Sequence, residues 1–239
     1  LFAESERQQD GIALHFSMPS IHALTIYQKS HPGEQNLRSI SGARNGWVQL
    51  INNLGMQFDF VSYEQLEQGA LADDRYRAFV LPLSVALSPE EVQALRAFAE
   101  RGGIVIADAG AGAMDDHCAW VEGGAMNSFF GIATSPSEQR LLARMAGPVS
   151  VTPSGAAWGL SAEALQGIEA VEPITATTGQ ALLRVGDTDA VIVRRVGRGW
   201  GVYLNVCPDR YGRRRRRPGD DSQLPDAGPA YRALIGSVL

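Results

Sequence analysis

Short apolar runs alternate with amphipathic stretches along the first half of the chain. The clearest unit lies between residues 76 and 112, where apolar runs at 77–82 and 104–107 flank a helical pattern. Ser88, Pro89 and Glu91 form a capping box with proline at the first helical position, which predicts where this helix begins. Strands joined by such a helical crossover lie parallel in one sheet.

The remaining pattern of the first half continues this alternation. The predicted elements are strands at 11–16 and 57–61, a helix at 41–54 capped by Ser41, a short helix at 63–69, loops at 17–20 and 29–38, and a helical or extended piece at 21–27. This order is typical of an α/β fold. We predict a flavodoxin-like, doubly wound, mostly parallel sheet with helices on both faces.

After Asp108 the pattern becomes richer in strands. The predicted elements are a helix at 137–145, strands at 149–152, 168–174, 181–185, 190–196 and 200–206, a loop at 209–225 and a closing helix at 228–239. The last two strands predict a C-terminal hairpin that joins the main sheet. We therefore expect one domain over residues 1–239, with a core at about 11–118 and 188–239 and a β-rich insertion at about 119–187.

Composition narrows the possible functions. The chain has 239 residues, of which 45% are hydrophobic and 20% charged, and its net charge is −5. This charge disfavours general binding to nucleic acid or to an anionic membrane, and no apolar run is long enough to cross a bilayer. Two cysteines do not make a disulfide framework and fit a reducing, cytoplasmic setting. Because the sequence starts without methionine, we expect a fragment of a longer chain.

Several motifs together resemble a known family. They are the first strand at 11–17, the helix around Trp47, the strands at 58–61 and 79–83, the capping box at 87–91, the run at 102–108 and the hairpin at 196–204. This set resembles the trimerisation domain of certain bacterial β-galactosidases, which belongs to the class I glutamine amidotransferase-like folds. The resemblance covers most of the chain, with a poorly matching middle.

The resemblance implies a role without catalysis. In active amidotransferases of this fold, a glycine-rich turn after the strand equivalent to 104–107 presents a cysteine nucleophile. Here that turn reads Ala107-Asp108-Ala109-Gly110, which has no thiol or hydroxyl group. The resemblance then implies a nucleophile-free domain that forms a homo-oligomer and serves a catalytic domain of the same polypeptide, in a glycoside hydrolase that acts on carbohydrate. It implies no cofactor.

The residues suggest one candidate site at the carboxyl end of the strands, where such sheets bind ligands. Asp108, Asp115, Asp116 and His117 lie at or after the end of the run at 104–107 and could bind a sugar or a metal ion. The alternative, which we favour, is that Asp115 or Asp116 caps a helix and His117 faces solvent. No metal site is assigned.

Hydrolytic arrangements are weaker candidates. Ser17, His22 and His31 lie near the first strand, and Ser17 and His22 could line a pocket with Asp108. A Ser–His pair here lacks an identifiable orienting acid and a Gly-x-Ser-x-Gly turn. Cys118 follows His117 directly, but neighbouring residues rarely aim their side chains at each other, so we predict that Cys118, like Cys207, is a small buried residue.

Three further features allow two interpretations each. Gly110 and Gly112 weakly suggest dinucleotide binding, which the missing third glycine disfavours. The arginine block at 213–217 could contact phosphate or an acidic partner, although a solvated loop is the default. Trp120, Phe129 and Phe130 are either core residues or residues of an interface or a carbohydrate-stacking surface.

Two functional hypotheses remain. The first is an accessory, subunit-joining domain of a larger carbohydrate-active protein. The second is a stand-alone hydrolase that uses Asp108, Asp115 or Asp116 with His117, with or without a metal ion. We favour the first, because the predicted turn has no nucleophile.

Overall fold

A computed structural model describes residues 9–32, 39–134, 145–206, 208–211 and 228–239. The strands are β1 (Ile12–Phe16), β2 (Phe58–Ser62), β3 (Ala78–Leu81), β4 (Ile104–Asp108), β5 (Ile132–Thr134), β6 (Val149–Val151), β7 (Ile174–Ala176), β8 (Gln180–Val185), β9 (Thr188–Val196) and β10 (Gly199–Leu204). The helices are α1 (Met18–Ser30), α2 (Ile40–Asn53), α3 (Tyr63–Glu67), α4 (Pro89–Arg101), α5 (Asn127–Phe130), α6 (Pro153–Ala157) and α7 (Gly228–Gly236).

Eight of these strands form one mixed sheet in the order β2-β1-β3-β4-β10-β9-β8-β6. The pairings from β2 to β10 are parallel, and those from β10 to β6 are antiparallel. The hairpin of β9 and β10 joins the sheet through β4, as the sequence predicts. Strands β5 and β7 form a separate antiparallel pair. The chain is therefore a mixed α/β protein with a mostly parallel central sheet.

Alternate residues of the central strands pack into two different hydrophobic clusters. Leu14, Val80 and Ile106 pack with residues of α2 and α7. Ala13, Phe79 and Val105 on the same three strands pack with residues of α3, α4 and α5. Strand β3 is buried along its whole length, which confirms the prediction of a strand covered on both faces.

The helix boundaries follow identifiable caps. Ser88 and Glu91 form the predicted capping box of α4, and Gly102, with a φ of 122°, ends the helix. A second capping box, made by Ser62 and Gln65, begins α3.

Several predicted elements are wrong in detail. Ser17 caps a helix that already begins at Met18, so 17–20 is not a loop, whereas the helical alternative for 21–27 is confirmed. Ser39, rather than Ser41, caps α2 by accepting a hydrogen bond from the backbone N–H of Gly42. Residues 168–173 do not form a continuous strand: Ala170 makes an isolated bridge with Met145, and the Asn205 side chain bonds the backbone of Val171 and Glu172. The predicted helix at 137–145 and the arginine block at 213–217 fall almost wholly outside the described residues.

Candidate functional site at the carboxyl edge of the sheet

The parallel strands β1, β3, β4 and β10 all end at one edge of the sheet, which we call the carboxyl edge. The segments that leave it begin at Ser17, Pro82, Ala109 and Asn205. In open α/β sheets ligands bind in the crevice outside this edge. The contacts of the side chains at this edge therefore decide what the domain can do.

Asp108, the last residue of β4, is fully buried and hydrogen-bonded inside the protein. Its Oδ2 accepts a hydrogen bond of 2.9 Å from the indole N–H of Trp47, and its Oδ1 accepts one of 2.6 Å from the backbone N–H of Leu83. Leu83 has a φ of 45°, a left-handed conformation that is uncommon for leucine. The carboxylate thus holds the turn after β3 in place and is not available to a ligand in solution.

The crevice between β1 and β3 is closed by serine side chains. Ser17 is buried and accepts a hydrogen bond of 3.1 Å from the backbone N–H of Ser20. Ser20 Oγ donates to the carbonyl of Ala86 at 3.1 Å and accepts from its N–H at 3.0 Å. These bonds fix the start of α1 against the segment that follows β3.

A buried Ser84–His15–Glu91 chain lies beside this closure. His15 Nδ1 is 2.9 Å from Ser84 Oγ, and His15 Nε2 is 2.8 Å from Glu91 Oε1. All three residues are at most 2% exposed, so substrate has no access to them. Glu91 Oε2 also accepts the capping-box hydrogen bond from Ser88 N–H. Sequence reasoning missed this group, although a histidine inside an apolar strand was a usable signal.

A third buried carboxylate, after Asp108 and Glu91, lies at the edge beside β4 and β10. Glu172 Oε1 accepts a 2.7 Å hydrogen bond from the backbone N–H of Gly110 and a short hydrogen bond from the hydroxyl of Tyr203. Asn205 Oδ1 accepts from the N–H groups of Val171 and Glu172 at 3.3 and 2.9 Å. The segment around Glu172 is therefore held by the side chain of Asn205 and, at Val171, also by its backbone carbonyl. A glutamate within a predicted strand was the signal for this cluster.

The predicted acidic loop lies apart from these buried groups. Asp115 Oδ1 accepts hydrogen bonds from the N–H groups of His117 and Ala119 at 3.0 and 2.8 Å. His117 Nδ1 is 3.2 Å from Asp116 Oδ1, and the imidazole is 85% exposed. One potential ligand atom from each of Asp115, Asp116 and His117 lies within 4.8 Å of the others, so these three could bind a divalent cation. Asp115 nevertheless already organises a turn, and Asp108 is buried elsewhere.

The other candidates do not face a common pocket. His22 is exposed on α1, whereas Ser17 is buried at the N-terminus of this helix. His31 Nδ1 is 3.0 Å from the carbonyl of Tyr27. Cys118 is half-buried in a turn with a φ of 65°, and burial, followed by the nearby carboxylates of Asp115 and Asp116, raises the pKa of its thiol. Cys207 lies outside the described residues.

The three aromatic candidates fall into two groups. Phe129 and Phe130 are fully buried, and the Phe130 ring packs on that of Tyr203 at a centroid distance of 5.2 Å. Neither leaves side-chain surface for a partner. Trp120 is half-buried and its ring meets that of Tyr27 edge-on at 5.9 Å. A role for Trp120 at an interface stays a prediction.

A cleft lies beside β2, away from the predicted residues. It measures about 380 Å³ and its lining includes Asp59, Phe60, Arg75 and Tyr76. The Arg75 guanidinium is 2.8 Å from the carboxylate of Asp59, so the two charges at its mouth pair with each other. No helix among the described residues has the length and apolar character to span a membrane.

The fold defines the class of this protein: a mixed α/β domain in which, among the described residues, the acids Asp108, Glu91 and Glu172 at the carboxyl edge are buried and hydrogen-bonded internally. Residues 11–215 match the family described as the β-galactosidase trimerisation domain. The chain therefore belongs to this family. Among curated proteins no sequence matches significantly.

Solved structures of larger enzymes contain a similar fold. The chain aligns over 99% of its length with β-galactosidase from Bacillus circulans sp. alkalophilus, at a TM-score of 0.68 and 14% identity. It aligns over 98% of its length with the cold-adapted β-galactosidase from Rahnella sp. R3 (TM-score 0.66, 16% identity) and with that from Halorubrum lacusprofundi (TM-score 0.63, 15% identity). It covers 32%, 32% and 31% of those chains, so it spans about a third of each.

Proposed function

We propose that this chain is a non-catalytic domain that joins the subunits of a larger, β-galactosidase-like protein. The observation that carries the proposal is the occupied carboxyl edge. Asp108, Glu91 and Glu172 each accept hydrogen bonds within the protein and are at most 1% exposed, so the acids at this edge support the fold. The family match supports the subunit-joining part.

The finer fold assignment belongs to the same proposal. The parallel strands run in the order β2-β1-β3-β4-β10, which corresponds to the flavodoxin-like order 2-1-3-4-5. We place the chain with the class I glutamine amidotransferase-like proteins on this basis, as a member without a nucleophile. The domain layout, with a core at about 11–118 and 188–239 and an insertion at about 119–187, stays a prediction.

The proposed partners are further copies of the chain and a catalytic domain of the same polypeptide. Because the chain spans about a third of the similar enzymes, the activity and the carbohydrate substrate would belong to the remainder of such a protein. Carbohydrate binding by this domain and a cytoplasmic location also stay predictions.

Sedimentation velocity on the protein, purified from its complete reading frame, tests the proposal. We expect a stable homo-oligomer at micromolar concentration. Asp116→Ala and His117→Ala variants should keep the parent activity on a panel of glycosides and esters, because neither side chain serves the reaction. A monomer at all concentrations contradicts subunit joining, and a large loss of activity in both variants favours the hydrolase alternative.

A further inference from the structure

Helices α1 and α2 are almost free of charged residues. Together their 13 and 14 residues contain Lys29 and Arg44 and no aspartate or glutamate. Helix α4, of 13 residues, contains three glutamates and two arginines, and 20% of the whole chain is charged. Charged side chains are common on helices that stay exposed to water. They are rare on surfaces that a partner covers, because desolvating a charge is costly.

The outer side of α1 is partly apolar. Met18 is 37% and Ile26 is 56% exposed, and His22 lies between them at the same helical spacing. The inner side, with Leu24 and Tyr27, already packs on the segments that leave the carboxyl edge. Helices that are apolar on both sides are typically covered on both sides. Only one side of α1 is covered by the described residues.

The exposed row of α2 is polar but uncharged. It contains Ser41, Asn45, Gln49 and Asn52. The only cation of α2, Arg44, lies over the ring of Phe16 at 4.8 Å, and Phe16 contacts the ring of Phe60 on the edge strand β2. Phe60 is 48% exposed. We call Met18, His22, Ile26, Asn45 and Gln49 the neutral face.

We propose that the neutral face is the surface on which a second copy of this chain docks. This inference rests on the proposed function, since it names the surface through which the domain would associate. The domain has a net charge of −5, so contact between the domains of two copies is favoured where carboxylates are absent. Helices α1 and α2 provide such a surface, and its exposed Met18 and Ile26 side chains supply apolar area to bury.

Two substitutions place a carboxylate on this face. Ile26→Glu should raise the dissociation constant of the oligomer at least about 100-fold, because it removes an apolar contact and buries an unpaired charge. Gln49→Glu adds a charge with little change of shape and should raise the constant about tenfold. The measurement is sedimentation velocity over a concentration series of the protein purified from its complete reading frame, with circular dichroism to verify folding.

Matched variants isolate the effect of position. Gln93→Glu makes the same chemical change on α4, which packs on the opposite side of the sheet, and should leave association unchanged. Ile26→Leu should retain it. If the parent protein associates but Ile26→Glu and Gln49→Glu associate equally well, the docking surface is elsewhere and the subunit-joining function stands. If the parent protein is monomeric, the proposed function itself fails.

Discussion

The carboxyl edge and the neutral face differ in their content of carboxylates. At the edge, the carboxylates of Asp108, Glu91 and Glu172 are buried and hydrogen-bonded by Leu83, Ser88 and Gly110, respectively. On the neutral face, α1 and α2 have no carboxylate at all. The place where a parallel sheet usually binds ligands is thus used for internal support. The neutral face is exposed in the described part of the chain, and we propose that it binds a second copy.

Asp108 should give the largest effect if the edge is structural. Asp108→Ala leaves the indole N–H of Trp47 and the backbone N–H of Leu83 without their acceptor in a fully buried position. We expect the free energy of unfolding to fall by about 3–5 kcal/mol. Urea denaturation followed by tryptophan fluorescence measures this change.

The matched control for this variant is Asp116→Ala in the exposed loop. Its only described side-chain contact is with the exposed His117, so its cost should stay below about 0.5 kcal/mol. Equal midpoints for the two variants would show that Asp108 does not support the fold.

Glu91 should give the next largest effect. Glu91→Ala removes the partner of both His15 Nε2 and Ser88 N–H, which should lower the free energy of unfolding by about 2–4 kcal/mol. Glu90 is its exposed neighbour in the first turn of the same helix, where a carboxylate interacts favourably with the helix dipole. Glu90→Ala should cost less than about 1 kcal/mol. A larger loss for Glu90→Ala would contradict the importance of the His15 contact.

Sequence reasoning predicted the parts of the fold that depend on local pattern. The capping box of Ser88 and Glu91 and the parallel order of the first strands follow from spacing alone, and the structure confirms them. The sequence also predicted that residue 108 lies at a strand end. It could not predict that Trp47, 61 positions away, would donate a hydrogen bond to this carboxylate, because that contact depends on how α2 packs on the sheet.

The missed elements have the same cause. Residues 168–173 have the apolar pattern of a strand, but they make only an isolated bridge, between Ala170 and Met145. The side chain of Asn205, 34 positions after Val171, binds the backbone of Val171 and Glu172 instead. Likewise, the Ser84–His15 contact spans 69 positions. Polar contacts between residues far apart in the chain leave no periodic signal in the sequence.

Asn45 and Gly46 are neighbours on α2, but Asn45 is exposed and Gly46 is buried, so the two positions compare an open surface with a covered one. A Cβ atom at Gly46 would lie 2.0 Å from the carbonyl oxygen of Pro208. Gly→Ala normally stabilises a helix by about 0.5–1 kcal/mol. For Gly46→Ala we instead expect the free energy of unfolding to fall by about 1–3 kcal/mol, because the backbone at Pro208 must move. Asn45→Ala, on the exposed row, should leave stability unchanged or raise it slightly. Thermal unfolding of both variants measures this, and a stabilised Gly46→Ala protein would contradict the close packing.

The smallest expected effect concerns the thiol of Cys118 in the acidic loop. Burial, with smaller contributions from Asp115 and Asp116, raises its pKa above the ordinary thiol value. Because a higher pKa means less thiolate at a given pH, the midpoint of its alkylation rate against pH should lie above that of a small free thiol. Asp116→Asn removes one carboxylate and should lower this midpoint slightly, whereas Asp73→Asn, outside the loop, should not. If the midpoint lay at or below that of a small free thiol, the loop would not shield the Cys118 thiol from solvent. The acidic loop would then differ from the carboxyl edge, where the side chains are buried.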